Sequence, residues 1–215
     1  MKTLFTAVSV LVCSVLTAAG DQYVSKMKET MQLMDQCQTI EEYQEVANTF
    51  EVIAEAEKDK WHPYYYSALV YGLMSMQVPD FDKKDLYAEK AQLAISSGLE
   101  IEPEESEFYV LKAFALFAAI QVDPMTRGMD YMMQAEQALA KAEELDAGNP
   151  RIYFLRAQTT LNMPPEFGGG QEAALPLLKQ AKEKYDNEVR DNELDPVWGK
   201  EEIDRILQQI EAGEE

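Results

Sequence analysis

Few side chains in this sequence are of the types that do chemistry, and they are scattered. His62 is the single histidine in 215 residues, so neither a histidine-based metal cluster nor a Cys–His nucleophile pair can be assembled around it. Its neighbours Trp61 and Pro63 favour a plainer role at the start of a helix. The sequence therefore predicts no catalytic residue, no metal site and no cofactor.

A glycine-rich turn is the segment whose composition comes nearest to that of a ligand loop. Exposed backbone amides ahead of a helix can bind an anion, but no Gly-Lys-Ser/Thr follows and no strand precedes, as a phosphate loop requires. The favoured interpretation is a turn whose glycines permit positive φ angles. Its residues form a candidate binding loop, namely Phe167, Gly168, Gly169 and Gly170.

Acidic residues are numerous but match no recognisable site. The sharp-turn glycine of a calcium loop is missing around the four that fall near one turn, Asp80, Asp82, Asp85 and Glu89. Pairs such as Glu104 and Glu105 lie in polar turns, where no burial would raise a carboxyl pKa for acid–base work. The sequence favours a non-enzymatic protein, with a hydrolase assembled from distant loops as a remote alternative.

The net charge of −20 limits the choice of partners. Such a surface repels phosphate groups, which argues against nucleic acid and anionic lipid and favours basic partners. With 47% apolar residues, the chain can still bury a sizeable core.

The first twenty residues have the three regions of a secretory signal peptide. Lys2 precedes an uncharged apolar run from Leu4 to Leu16, and small residues follow. A retained anchor is the alternative, but about 13 apolar residues fall short of the roughly 20 that span a bilayer. Lipidation at Cys13 is disfavoured because the bulky Val12 precedes it. We expect cleavage, export to the periplasm or extracellular space, and no stable membrane span afterwards.

Beyond this leader, apolar residues recur at helical spacing and no strand stands out. Thr39 and Glu42 match the capping box at the start of a helix. Helices are predicted at 23–38, 39–58, 63–76, 84–99, 106–120, 129–145, 151–162 and 171–185, and a last amphipathic helix follows them.

One hexamer marks an internal repeat. FYVLKA at 108–113 returns as IYFLRA at 152–157, and Tyr64 with Ala68 belongs to a looser third copy. The copies are spaced by 45 and 44 residues. Helical pairs repeated at a fixed period stack so that each pair buries its apolar face against its neighbours.

These units resemble the tetratricopeptide repeat (TPR) family. The first helices carry the aromatic and small residues of that pattern, and the second helices carry its small, large and small residues, such as Ala135, Leu139 and Ala142. The resemblance implies an all-α fold, a right-handed TPR-like solenoid of helical hairpins. It would comprise an N-terminal helical pair at 21–60, three TPR-like pairs at 61–186, and a linker with a C-terminal capping helix at 187–215.

The turns inside the pairs are longer than the family's. They are VPDFDKKD, VDPMTRG and MPPEFGGG. The last of them, together with the DPVWGKEE segment near the C-terminus, is similar to segments of secreted TPR-like proteins from Bacteroidetes-type bacteria.

The family's geometry implies a concave groove lined by the first helices. The residues that would border it are Tyr65, Leu69, Val110, Phe114, Phe117, Phe154, Gln158 and Leu161. We expect a scaffold that binds a peptide or protein partner through this groove and the long turns. The alternatives are a small-molecule-binding accessory component of a periplasmic uptake system and, for each single residue, an ordinary place in the core.

Overall fold

The computed structural model describes residues 20–212, and this part of the chain is helical with no strand. The predicted leader at 1–20 lies outside the described residues except for Gly20. None of the helices within 20–212 is long and apolar enough to cross a membrane. The helices are α1 (20–34), α2 (Ile40–Ala56), α3 (His62–Gln77), α4 (Phe81–Ile101), α5 (Ser106–Ile120), α6 (Pro124–Leu145), α7 (Pro150–Asn162), α8 (Gln171–Asp186) and α9 (Lys200–Ala212), with a 3-10 turn at Pro165–Phe167.

The predicted capping box is confirmed. The Thr39 hydroxyl accepts from the Glu42 amide at 3.2 Å, and the Glu42 carboxylate accepts from the Thr39 amide at 3.0 Å. These reciprocal bonds satisfy two backbone donors that α2 leaves unpaired at its start.

α4 and α6 begin three and five residues earlier than predicted, so the turns before them are shorter; α1 also lies earlier, at 20–34 instead of 23–38. α4 begins at Phe81 instead of 84, and α6 begins at Pro124 instead of 129. The side chains of Asp80 and Asp123 each accept a hydrogen bond from the amide three residues on and so cap these helices. Pro124 was predicted to lie in a turn. Proline suits the first position of a helix, where no backbone donor is needed.

Packing runs along the chain. From α2 to α9 each helix packs on the next, and α3, α5 and α7 also pack on one another in series. Two buried apolar clusters form the core, one around α2 to α5 and the other around α5 to α9; Phe114 and Trp198 pack against both.

The repeated hexamer has a structural role that recurs in each copy. Its tyrosine hydroxyl donates to a backbone carbonyl shortly before its own helix, as Tyr109 does to Pro103 at 3.2 Å and Tyr153 does to Ala147 at 3.1 Å. In the looser copy, Tyr64 donates instead to the Ala54 carbonyl in the last turns of α2, at 3.3 Å. The equivalent alanines at 68, 113 and 157 are buried, so the hexamer ties its helix to the segment before it and packs it closely.

Gly98 of α4 marks the closest approach of two helices. A Cβ built on it would lie 2.0 Å from Cζ of the Phe108 ring, which is fully buried in α5. Phe108 is held in turn by Trp61 and Tyr65, whose rings contact it edge-on. The ring therefore has little freedom to move away from an added methyl group.

We predict that Gly98→Ala destabilises the protein by about 1–3 kcal/mol through overpacking. Gly128→Ala is the matched control, because nothing lies within 4 Å of the Cβ it would add in α6; it should stabilise by about 0.5–1 kcal/mol. Urea unfolding followed by circular dichroism measures both changes. Equal effects of the two substitutions would contradict the close contact at Gly98.

Candidate functional site

The eight residues predicted to border a groove divide into two sets. Four are buried in the core, namely Tyr65, Leu69, Val110 and Phe154. The other four are partly exposed, namely Phe114, Phe117, Gln158 and Leu161. The buried set lies out of reach of an external partner in this conformation, and the partly exposed set keeps a surface that a partner could touch.

The chain's own C-terminal segment packs on two residues of the buried set, Tyr65 and Phe154. We call residues 187–199 the strap. Its Trp198 indole nitrogen donates to the Tyr65 hydroxyl at 2.7 Å, and its ring contacts those of Phe114 and Phe154. Leu194 of the strap is 1% exposed. This segment, predicted to be a linker, is a packed part of the structure.

Buried ionisable side chains hold the strap, and they occupy the same position of three successive repeats. His62, Glu107 and Arg151 each stand just before the repeated hexamer or its looser copy. All three are buried. The sequence analysis missed Glu107 and Arg151, although ionisable residues recurring at intervals of 45 and 44 positions were a readable signal.

Glu107 accepts hydrogen bonds on both carboxylate oxygens. Oε1 accepts from the Asn149 side-chain amide at 2.8 Å and lies 3.2 Å from Nη1 of Arg151, while Oε2 accepts from the Tyr65 hydroxyl at 3.0 Å. Burial raises the pKa of the Glu107 carboxyl to about 7, against the opposing effects of Arg151 and the Tyr65 hydroxyl. A carboxyl so engaged is suited to holding helices together.

Arg151 connects the helices to the strap. Its guanidinium donates to the Glu188 carboxylate at 2.6 Å and to the Pro196 carbonyl. It also lies over the rings of Tyr185 and Trp198, about 5.8 and 5.7 Å from their centroids. The side chain is 1% exposed, so the strap is needed to satisfy a charge that α7 alone would leave buried and unpaired.

His62 also contacts the strap. Its Nε2 lies 3.3 Å from the Asp195 carboxylate of the strap, and its ring stacks on Trp61. Burial lowers the pKa of His62, opposed by the hydrogen bond to Asp195. The single histidine is therefore almost entirely inside the structure and already paired with the strap.

A cavity of about 400 Å³ lies beside this polar network, between the starts of α5 and α7 and the strap. Glu105 and Glu107 both line it, and burial raises the pKa of the Glu105 carboxyl as well. The expectation that Glu105 lies in a polar turn without burial was therefore wrong, because the strap closes over the start of α5. A carboxylate pair in a cleft is the arrangement expected of a hydrolase. Here, however, both oxygens of Glu107 already accept from protein donors, and Glu105 accepts from the Glu107 amide at 3.1 Å.

The glycine-rich turn uses its own backbone amides. Those of Gly168 and Gly169 donate to Pro165 and Pro164, and that of Gly170 donates to Thr160 at 2.9 Å. Gly168 and Gly170 have φ angles of 85° and 93°, which only glycine adopts readily. These amides are thus occupied within the turn, as the turn interpretation expects.

An exposed apolar surface lies at the opposite end of the first helices from the strap. A large apolar side chain is exposed at or just before the start of each second helix, namely Phe81 (56% exposed) in α4, Met125 (97%) in α6 and Phe167 (74%) in the turn before α8. We call these three residues the turn edge. These three exposed apolar residues follow the ends of the three first helices, and an apolar surface formed by several such residues would be a candidate contact site.

Two interactions place the turns side by side. Gln121, after α5, donates to the sulfur of Met76 at the end of α3, at 3.3 Å. Arg127 of α6 pairs with Asp85 of α4, with distances of 2.5 and 2.8 Å. Since Glu107 and Arg151 join the starts of α5 and α7, the ends of these helices also fall at the same edge.

Within residues 20–212, no group of three His, Cys, Asp or Glu side chains is arranged to hold a metal ion. Cys37 is the one cysteine in the described part of the chain, and it is half-buried. Burial raises the pKa of its thiol. The turn edge and the partly exposed groove residues offer a ligand apolar contact.

Comparison with known proteins finds a structural neighbour that covers most of this chain. No protein-family model matches the sequence, and no curated protein matches it. Among solved structures, the chain is similar to the HusA haemophore from Porphyromonas gingivalis. The identity is 28% and the TM-score 0.78, over 90% of this chain and 94% of the haemophore chain.

The buried carboxyl of Glu107 predicts a pH-dependent stability. Its pKa in the folded protein, about 7, is above the ordinary value of 4.5, so the folded state binds this proton more tightly than the unfolded state does. The resulting stabilisation is complete below about pH 4.5 and is lost as the pH rises through 7, by up to about 1.4 kcal/mol per pH unit. Glu107→Gln should remove this loss.

Urea unfolding of both proteins between pH 5 and 8 measures the effect. The wild type should lose stability relative to Glu107→Gln as the pH rises, and the exposed Glu104→Gln control should follow the wild type. A difference between wild type and Glu107→Gln that stays constant with pH would mean that Arg151 keeps the carboxylate ionised throughout.

Proposed function

We propose that this protein is an exported, non-enzymatic carrier of a flat apolar macrocycle of the haem class, bound at the turn edge. The observation that carries the proposal is the similarity to a haemophore across 90% of this chain and 94% of that one. The similarity extends over the whole helical array, so the surfaces formed by several repeats are part of it.

The chemistry of the turn edge fits such a cargo. A tetrapyrrole has two large apolar faces, and the Phe81 and Phe167 rings can pack against them. The thioether of Met125 is flexible and polarisable, which suits irregular apolar contact. Lys83, exposed two residues from Phe81, supplies a cation for the carboxylate side chains of haem.

The iron of haem has few ligands to choose from in this chain. Histidine is a common axial ligand, but His62 is buried and held by Asp195. We therefore propose that the ring system, more than the iron, is recognised. Iron-free protoporphyrin should then bind with an affinity similar to that of haem.

The finer architecture belongs to the same proposal. We propose that the helical pairs form a TPR-like solenoid with α9 as its cap, because α3, α5 and α7 pack in series and α9 packs on α8. Residues 1–20 would direct export. The packed strap makes the repeat array rigid, which reduces the entropy lost on binding.

A peptide or protein partner is the second candidate. A cavity of about 390 Å³ between α7 and α9 is lined by the predicted groove residues Gln158 and Leu161. Arg205, Ile206 and Ile210 of α9 form its other wall. A short peptide segment could insert an apolar side chain there, beside amide groups able to bond its backbone.

We predict that haem and iron-free protoporphyrin both bind the purified protein, as measured by absorbance and tryptophan-fluorescence titration. The double variant Phe81→Ser/Phe167→Ser should raise both Kd values by about tenfold or more, because two apolar contact areas are lost. Val52→Ser is the matched control, since Val52 is 69% exposed on α2, and it should leave both affinities unchanged.

If neither haem nor iron-free protoporphyrin binds, the carrier proposal is overturned. Binding of haem alone would contradict recognition through the ring. A specific protein captured by cross-linking in the native host, and lost with Leu161→Asp, would favour the second candidate.

A further inference from the structure

Methionines are concentrated in the first half of α6. Four of the chain's 11 methionines fall within residues 125–133. Met125, Met129 and Met132 follow the spacing i, i+4, i+7, which places them on one side of a helix. We call these three the methionine stripe. Met125 and Met129 are 97% and 80% exposed, and Met132 is half-buried.

The same side of α6 faces α7 further along. Glu136 and Glu143 continue the helical series of the stripe, and both accept hydrogen bonds from Arg156 of α7, at 2.7 and 2.6 Å. α7 has 13 residues and α6 has 22, or about 20 Å against about 33 Å. The stripe therefore extends beyond the end of α7, and nothing in residues 20–212 covers Met125 or Met129.

The stripe can bring several sulfurs to one point. On a helix, the Cβ atom of Met129 lies about 5–6 Å from those of Met125 and Met132. Each sulfur stands two bonds beyond its Cβ on an unbranched, flexible side chain. Met129 is thus the central residue, able to share an ion with a methionine on either side.

The chemistry of the site selects a particular kind of ion. Thioethers are soft ligands that select Cu(I), whereas Mg²⁺ and Ca²⁺ prefer oxygen. The stripe's own segment carries Asp130 and Arg127, of which Arg127 is paired with Asp85, and the whole chain carries a charge of −20. A negative field raises the local concentration of cations.

We infer that the methionine stripe is a binding site for Cu(I), held by the thioether sulfurs of Met125, Met129 and Met132. This site is distinct from tetrapyrrole carriage, because it uses sulfur coordination of a free ion and needs no macrocycle. It shares Met125 with the turn edge, so the central variant below is placed at Met129.

Competition with a coloured Cu(I) chelator such as bathocuproine disulfonate, under anaerobic conditions with ascorbate, tests the site on the purified protein. The wild type should remove one equivalent of Cu(I) from the chelator. Met129→Leu keeps the size and apolar character of the side chain and should weaken binding by about 10–100-fold, the range seen when support for a metal site is removed. Met76→Leu, at an exposed methionine outside the stripe, should bind as the wild type does.

A second readout locates the ion without relying on affinity. Ag(I), a redox-inert soft cation, is added to protein carrying ¹³C-labelled methionine methyl groups. The resonances of the three stripe residues should shift together and that of Met76 should not. Failure of the wild type to compete with the chelator, or equal Cu(I) affinity in Met129→Leu, overturns the inference whether or not tetrapyrroles bind.

Discussion

The buried pair of Glu107 and Arg151 is the interaction on which the rest of the structure depends. Moving two charges out of water is costly unless each is fully hydrogen-bonded. Glu107 finds its partners on α3 and α7, but Arg151 needs Glu188 and the Pro196 carbonyl of the strap. The pair therefore joins three first helices and the strap into one unit, because each of these elements contributes one of the two side chains or a hydrogen-bond partner to it.

Docking of the strap decides which surfaces are open. Trp198 is carried onto the face of α3, α5 and α7, where it contacts Tyr65, Phe114 and Phe154. The apolar surface that the first helices would otherwise present is thus partly used inside the protein. Exposed apolar side chains remain at the far ends of these helices and on α6, as well as on α1, α2, α4 and the strap.

Much of the architecture could be predicted from local patterns. α5 begins and ends where predicted, the Thr39 capping box is confirmed, and most other helix ends fall within a few residues of expectation. α4 and α6 begin earlier than predicted because Asp80 and Asp123 cap them, so residues predicted to lie in the turns form the first turn of each helix. Of the predicted groove, half was found buried, because periodicity alone cannot tell what covers an apolar face.

By itself, the sequence determined the helices and their repeat. Helical periodicity and caps depend on residues only a few positions apart, and the 44- to 45-residue period is visible when one segment is compared with the next. It also contained, in the equivalent positions 62, 107 and 151, the ionisable residues of the polar network. Only the tertiary structure decided that a strap residue more than 130 positions away would pack on Tyr65. Such contacts depend on complementary shape and hydrogen bonding between distant segments, and no spacing along the chain encodes them.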